Sequence, residues 1–239
     1  MKKIIPNTIT LLSLLSACLA IYCSFHPLED MGCGTPGYKF AFYFILLSAV
    51  ADFCDGLAAR LLGAQSELGV QLDSLSDVVA FGVAPAMLLL NLFQACGAPR
   101  WLCLLCLLIP LMGALRLARF NTDKTQTTSF LGLPIPSCAL FCIGLAALTV
   151  STGGVGLYAA AGCVAAIALL MVVPVRMYSL KMKNFRLVDN LLRYILLVVA
   201  ALCLWFFGWE GFFYIIAYYV ISSFIVGLFP VTKIETPQD

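Results

Sequence analysis

An all-α, polytopic membrane bundle of about eight helices is the fold this sequence predicts, and three observations predict it. Of 239 residues, 62% are hydrophobic and 11% charged, where soluble domains carry about a quarter charged. Mean hydropathy is +1.02. Apolar runs close to the ~20 residues a helix needs to cross ~30 Å of hydrocarbon recur along the whole chain. They fall at 7–26, 38–62, 72–95, 99–120, 133–151, 154–175, 188–208 and 211–229. No repeat, low-complexity tract or soluble segment interrupts them, so residues 1–239 read as a single integral-membrane domain.

The first span follows Lys2 and Lys3. No convincing small-residue cleavage site follows it and another span comes at once, so it reads as a retained helix and not a signal peptide. HPLEDMGCGTPGYK then forms an irregular connection, marked by its Pro and Gly content. Spans two and three are joined by LLGAQSEL, short enough to make them antiparallel neighbours. RLARFNTDKTQTTSFLGLPIP links spans four and five. After span six, RMYSLKMKNFRLVDN alternates bases with Met, Tyr, Phe and Leu. That pattern suits either a helix lying in the headgroup layer or a basic loop that sets topology.

Eight spans put both termini on one side. With the termini inside, the inner segments carry Lys2, Lys3, Arg60, Arg116, Arg119, Lys124, Arg176, Lys181, Lys183, Arg186, Arg193 and Lys233, and the outer side keeps Lys39 and Arg100. Twelve against two places the termini, Arg60 and the segment beside it toward the cytoplasm. The expected location is within a membrane, with this segment toward its inner side. The net charge of +2 adds little and gives no sign of a nucleic-acid partner. Most of the eleven cysteines lie within apolar runs, where a thiol acts as a small hydrophobe, and the Cys103/Cys106 pair reads the same way. His26 is the one histidine, which excludes a multi-histidine metal site.

Four of the twelve acidic residues, Asp52, Asp55, Asp73 and Asp77, sit inside spans two and three. Each charge at the bilayer centre costs ~2.5–3.5 kcal/mol on insertion scales, so something must neutralise them. Asp52 and Asp55 are three apart, and Asp73 and Asp77 four apart, so each pair projects from one helical face. Two antiparallel helices can bring these faces together ~8–15 Å below the inner surface. An oxygen-only cluster favours a hard divalent cation, Mg²⁺ or Mn²⁺ with Ca²⁺ as a further option, as one or two ions that also engage substrate phosphates. Between the pairs, GLAAR (56–60) offers small residues that serve either helix packing or ligand approach, and Arg60 is either a snorkelling anchor or a phosphate contact.

The pattern DxxDGxxARx8GxxxDxxxD, filled by Asp52, Asp55, Gly56, Ala59, Arg60, Gly69, Asp73 and Asp77, resembles the signature of the CDP-alcohol phosphotransferases. PNTITLLSLLSACLA from Pro6, GALRLARFN ending at Asn121 and FLGLPIP from Phe130 are similar to the membrane-embedded phosphatidylserine synthases of bacteria and archaea within that family. MVVPVRMYSLKMKNF from Met171 matches less closely at its start.

The resemblance implies metal-dependent transfer of a phosphatidyl group from CDP-diacylglycerol to the hydroxyl of L-serine, giving phosphatidylserine and CMP, by a homodimer in contact with membrane lipids. It implies that Asp52, Asp55 and Asp73 hold metal, with Asp77 as general base and candidate ligand to a second metal. Asn7, Thr8, Thr10, Gly56, Ala59, Arg60 and Gly69 would meet the nucleotide and diphosphate. Arg116 and Arg119, three apart on one face of span four, could receive the serine carboxylate or simply anchor the helix. Asn121 could orient the amino group or cap the helix, and Lys181 is a further phosphate candidate.

Three rival readings follow from the same residues. Within the family, the acceptor could be glycerol 3-phosphate or an inositol phosphate. A cation-coupled transporter would need polar residues continuing outward, and the outer halves of spans two and three are almost wholly apolar. A structural membrane protein would pair the aspartates with Arg60, Arg116 and Arg119.

Overall fold

The computed structural model describes residues 4–122, 130–178 and 190–228. Among these, helices follow nearly every predicted span: α1 (Ile4–Ser24), α2 (Gly37–Leu61), α3 (Glu67–Asp77), α4 (Ala84–Ala95), α5 (Arg100–Leu104), α6 (Leu108–Thr122), α7 (Ile135–Ser151), α8 (Leu157–Leu170), α9 (Leu191–Phe207) and α10 (Gly211–Leu228). Four helical stretches, 4–24, 37–61, 67–95 and 100–122, are long and apolar enough to cross a membrane, as is 191–226 taken together. The last is two helices. At Gly208 the backbone takes φ 55, ψ −125 and the chain doubles back, so that Gly211 packs against the Cys203 carbonyl. The protein is an integral membrane protein, and its described residues form a helical bundle with one two-residue strand pair among them.

Local chemistry explains the interruptions. Pro85 has no N–H to give the preceding turn. The helix widens before it into a π-helical stretch, Val78–Val83, in which the Ala84 amide reaches the Val79 carbonyl. α3 and α4 are thereby one continuous rod with Asp77 at its widened joint. Pro110 is likewise preceded by a 3₁₀ turn, Leu105–Leu107, that joins α5 to α6.

One predicted span is corrected. Helix was expected over 154–175, but α8 covers only Leu157–Leu170. Gly153, Gly154 and Gly156 take positive φ before it. After it, the chain turns and pairs Arg176–Met177 with Phe130–Leu131 in a short antiparallel ladder. Gly132 makes this possible: at φ 78 its α-carbon lies so close to the Met171 carbonyl that a Cβ would sit 2.4 Å away. The start of the basic segment is therefore extended rather than helical at Arg176 and Met177. Lys124, Lys181, Lys183 and Arg186 lie outside the described residues, as do Lys2, Lys3 and Lys233.

α1 and α2 pair antiparallel through a polar zip. Ser13 Oγ donates to the Ser48 carbonyl at 3.0 Å, Ser48 Oγ donates back to the Ser13 carbonyl at 2.6 Å, and Ser16 Oγ donates to the Phe44 carbonyl at 2.8 Å. Buried Ala17, Ala20 and Ala41 let the backbones approach, and a Cβ on Gly37 would meet the His26 carbonyl at 2.2 Å. Small residues and interhelical hydroxyls are the usual glue where lipid removes the hydrophobic drive for helix association. The core lies around α4, where Ala84, Ala86, Leu88, Leu89, Leu92 and Phe93 are fully buried. α9 and α10 expose a broad apolar surface, including Trp205 and Phe206, as a lipid-facing helix pair should.

Candidate metal centre and substrate cavity

The connector between α2 and α3 shortens to residues 62–66 because Ser66 caps α3, its hydroxyl accepting from the Gly69 amide at 3.1 Å. Gly63, at φ 57, makes the turn out of α2. This tight reversal sets the register of the two acidic faces. Asp52, Asp55 and Asp73 each offer an oxygen, and these atoms lie within 4.8 Å of one another. Asp52 also contacts the side chain of Asp77, so all four carboxylates form one group. Asp55 is the most enclosed of them, at 5% exposure. Thr10 on α1 holds it, donating Oγ1 to Asp55 Oδ2 at 2.5 Å.

Two unit charges 4 Å apart repel by ~4 kcal/mol at the effective dielectric of a protein surface. Among the described residues, none of the four aspartates forms an ion pair with an arginine or lysine, and the ion pair present there is His26 with Glu29 at 3.1 Å. The arrangement in which these aspartates pair with Arg60, Arg116 and Arg119 is therefore absent among the described residues. An oxygen-only set of three converging carboxylates fits a hard divalent cation. Asp52, Asp55 and Asp73 would hold it, with Asp77 adjacent.

Beside the cluster, a cavity of about 400 Å³ opens between α1, α2 and α3, with Asp55 and Asp73 in its wall. Asn7, Thr10, Gly56, Ala59, Arg60 and Gly69, expected at the nucleotide, all line it. The two glycines stand there for different reasons. A Cβ on Gly69 would lie 3.1 Å from Ser66 Oγ and 3.2 Å from Asn7 Oδ1, so this glycine lets α1 and the α3 cap close together. A Cβ on Gly56 would meet only the end of Arg60, at 3.9 Å. No neighbouring helix covers Gly56, so its small surface serves the cavity and not packing. Arg60 folds back along α2, donating Nε to the Gly56 carbonyl at 2.9 Å, and presents its guanidinium at the cavity edge. Thr8, by contrast, is exposed and bonds the Ile4 carbonyl within its own helix.

The three residues expected at the acceptor lie outside this cavity wall and separate from one another. Arg119 donates to the Val172 carbonyl at 3.3 Å, and Asn121 Nδ2 donates to Ser74 Oγ at 2.9 Å. Both tie the end of α6 to neighbouring elements. Arg116 is different: it is half-buried, lies within electrostatic reach of Asp77, and its Nε is buried without a hydrogen-bond partner. Lys181 falls outside the described residues. The Thr10–Asp55 bond and the orphaned Arg116 Nε have no short-range signature in sequence.

A family model described as CDP-alcohol phosphatidyltransferase matches residues 3–174. Among curated proteins, a CDP-diacylglycerol–serine O-phosphatidyltransferase of Methanocaldococcus jannaschii is 46% identical over 108 residues, 45% of this chain and 51% of the relative. The protein of that name from Mycobacterium leprae is 37% identical over 158 residues, 63% of this chain and 49% of the relative. That from Bacillus subtilis is 39% identical over 110 residues, 46% of this chain and 60% of the relative. The matched part thus spans about half the length of these relatives.

Proposed function

We propose, because the chain belongs to the CDP-alcohol phosphatidyltransferase family, that it transfers the phosphatidyl group of CDP-diacylglycerol to the hydroxyl of L-serine, yielding phosphatidylserine and CMP. The observation that carries this reading is the meeting of the two acidic helix faces at the wall of a cavity lined by Asn7, Gly56, Arg60 and Gly69. The relatives' names support serine as acceptor.

In this reading the acyl chains remain in lipid while the cytidine diphosphate enters the cavity. Gly56 and Ala59 let the nucleotide lie against α2, and Arg60 contributes a planar, bidentate phosphate contact. Asn7 and Thr10 line the α1 side. A divalent ion held by Asp52, Asp55 and Asp73 supplies neutralisation of the diphosphate and of the charge that develops on it. Asp77 accepts the proton of the serine hydroxyl, whose oxygen forms a bond to the phosphorus that carries diacylglycerol. The bond from that phosphorus to the CMP oxygen breaks, and CMP leaves. Arg116, Arg119 and Asn121 are the acceptor candidates, and the unpartnered Nε of Arg116, a residue within electrostatic reach of Asp77, favours Arg116 among them.

The same reading covers a single membrane domain over 1–239 that works as a homodimer among membrane lipids, in a bacterial inner membrane. The twelve-to-two distribution of basic residues supports a cytoplasmic site and cytoplasmic termini. Magnesium or manganese is the expected ion, with Asp77 as the route to a second one.

The test is CMP release by the purified protein on addition of CDP-diacylglycerol, L-serine and Mg²⁺ or Mn²⁺. Release that needs serine, disappears with chelator and returns with metal is the expected result. Release driven equally well by glycerol 3-phosphate or an inositol phosphate in place of serine would overturn the acceptor, and CMP release indifferent to chelation would overturn the metal.

A further inference from the structure

Within electrostatic reach of Asp77, and outside the lining of the nucleotide cavity, begins a group of polar atoms that donor binding does not use. Two of them are buried and unsatisfied: Arg116 Nε on α6 and Ser223 Oγ on α10, the latter on a residue only 1% exposed. A buried polar group without a partner is rare in folded proteins, because its lost hydration is not replaced. Two in one neighbourhood mark a place that expects a polar occupant.

Tyr219 links them. It lies within electrostatic reach of Arg116, and its hydroxyl is within hydrogen-bonding reach of the Ser223 side chain. Its ring packs edge-on against Tyr178, with centroids 5.0 Å apart, and its hydroxyl donates to the Tyr178 carbonyl at 3.0 Å. The Tyr178 hydroxyl in turn meets Ser222 Oγ at 3.3 Å. Tyr219 therefore has its proton committed and draws the Ser223 hydroxyl toward its oxygen without a fully formed hydrogen bond, while Arg116 Nε–H has a bond to give. The backbone fixes α10 in this place. Phe213 N comes so close to Gly144 on α7 that a Cβ there would sit 2.1 Å away.

From this arrangement we infer that α6 and α10 together form the acceptor subsite, in which the carboxylate of a small hydroxy amino acid is received by Arg116 and Ser223, with Tyr219 closing the wall and the acceptor hydroxyl toward Asp77. The inference rests on the serine reading above and extends it to α10, a helix that begins 37 residues beyond the last residue matched by the family model. The donor is held by α1 to α3 within the matched region, and the acceptor is read by α6 inside it and α10 outside it. One guanidinium balances one negative charge. A phosphomonoester, which carries close to two, would call for a second cation, and among the described residues Arg119 is turned instead to the Val172 carbonyl.

Steady-state kinetics on the full chain tests the subsite, with L-serine and CDP-diacylglycerol varied in turn. Ser223→Ala is expected to raise the KM for serine roughly three- to tenfold, the worth of one lost hydrogen bond, with the KM for CDP-diacylglycerol unchanged. Ser223→Thr, which keeps the hydroxyl, is expected to return the serine KM toward wild type and controls for disturbed packing. A serine-active wild type whose Ser223→Ala variant keeps its serine KM, or whose two KM values rise together, overturns the subsite alone. A wild type that uses glycerol 3-phosphate and not serine overturns the acceptor reading, and the carboxylate assignment with it.

Discussion

The Thr10 hydroxyl on α1 donates to Asp55 Oδ2 on α2 at 2.5 Å, so the most buried carboxylate of the cluster is oriented from outside the signature itself. Thr10 Oγ1 also lies 3.0 Å from the Pro6 carbonyl of its own helix, so the one hydroxyl proton faces two acceptors, the carboxylate being the nearer. The first helix thus does more than cross the membrane, since it sets the direction in which Asp55 offers its other oxygen.

Thr10→Val keeps the shape and removes the hydroxyl. Asp55 then loses a bond to a charged oxygen, and the metal concentration for half-maximal activity should rise roughly three- to tenfold. A metal titration of CMP release measures this. An unchanged titration curve would mean that Asp55 needs no help from α1.

Asp77→Asn retains size and polarity while removing the capacity to accept a proton. Turnover should fall by about 10²–10⁴, the usual worth of a positioned general base, while CDP-diacylglycerol still protects the protein against thermal unfolding. Full turnover in this variant would remove Asp77 from the proton transfer.

The two cavity glycines should respond differently to alanine. At Gly56 the added methyl meets only a flexible arginine end at 3.9 Å, so thermal stability should hold while the KM for CDP-diacylglycerol rises. At Gly69 the methyl would crowd Ser66 and Asn7 at 3.1 and 3.2 Å, so stability should fall as well, by around 1 kcal/mol. Thermal unfolding in detergent beside donor kinetics separates them. Equal behaviour of the two variants would contradict the distinction between ligand space and packing space.

Gly144→Ala would place a methyl 2.1 Å from the Phe213 amide nitrogen, which no side-chain rotation can relieve. α7 and α10 must part, at a cost of at least ~1–3 kcal/mol. Unfolding at lower temperature is the expected outcome, together with a raised serine KM in whatever fraction folds, because α10 carries Tyr219 and Ser223. Wild-type stability would show that the two backbones are not in contact.

Much of this was legible along the chain. Apolar runs near twenty residues located the helices because a bilayer imposes that length. Spacings of three and four placed each aspartate pair on one face because 3.6 residues make a turn. Where the reading slipped, hydropathy continued while the backbone did not: Met171–Val175 is as apolar as a span, yet the chain turns there to meet Gly132 and residues 130–131. Arg116 and Arg119 looked equivalent, one turn apart on α6. Their neighbours differ, because one meets the Val172 carbonyl and the other lies within electrostatic reach of Asp77 with a donor left over.

By itself, then, the sequence determined a membrane bundle and two acidic helix faces, since both follow from periodicity within a single helix and from the thickness of lipid. Tertiary structure decided that these faces meet, that Gly56 borders a cavity while Gly69 serves close packing, and that Thr10 holds Asp55. Those outcomes depend on which surfaces of distant helices come into contact, and no spacing along one helix encodes that.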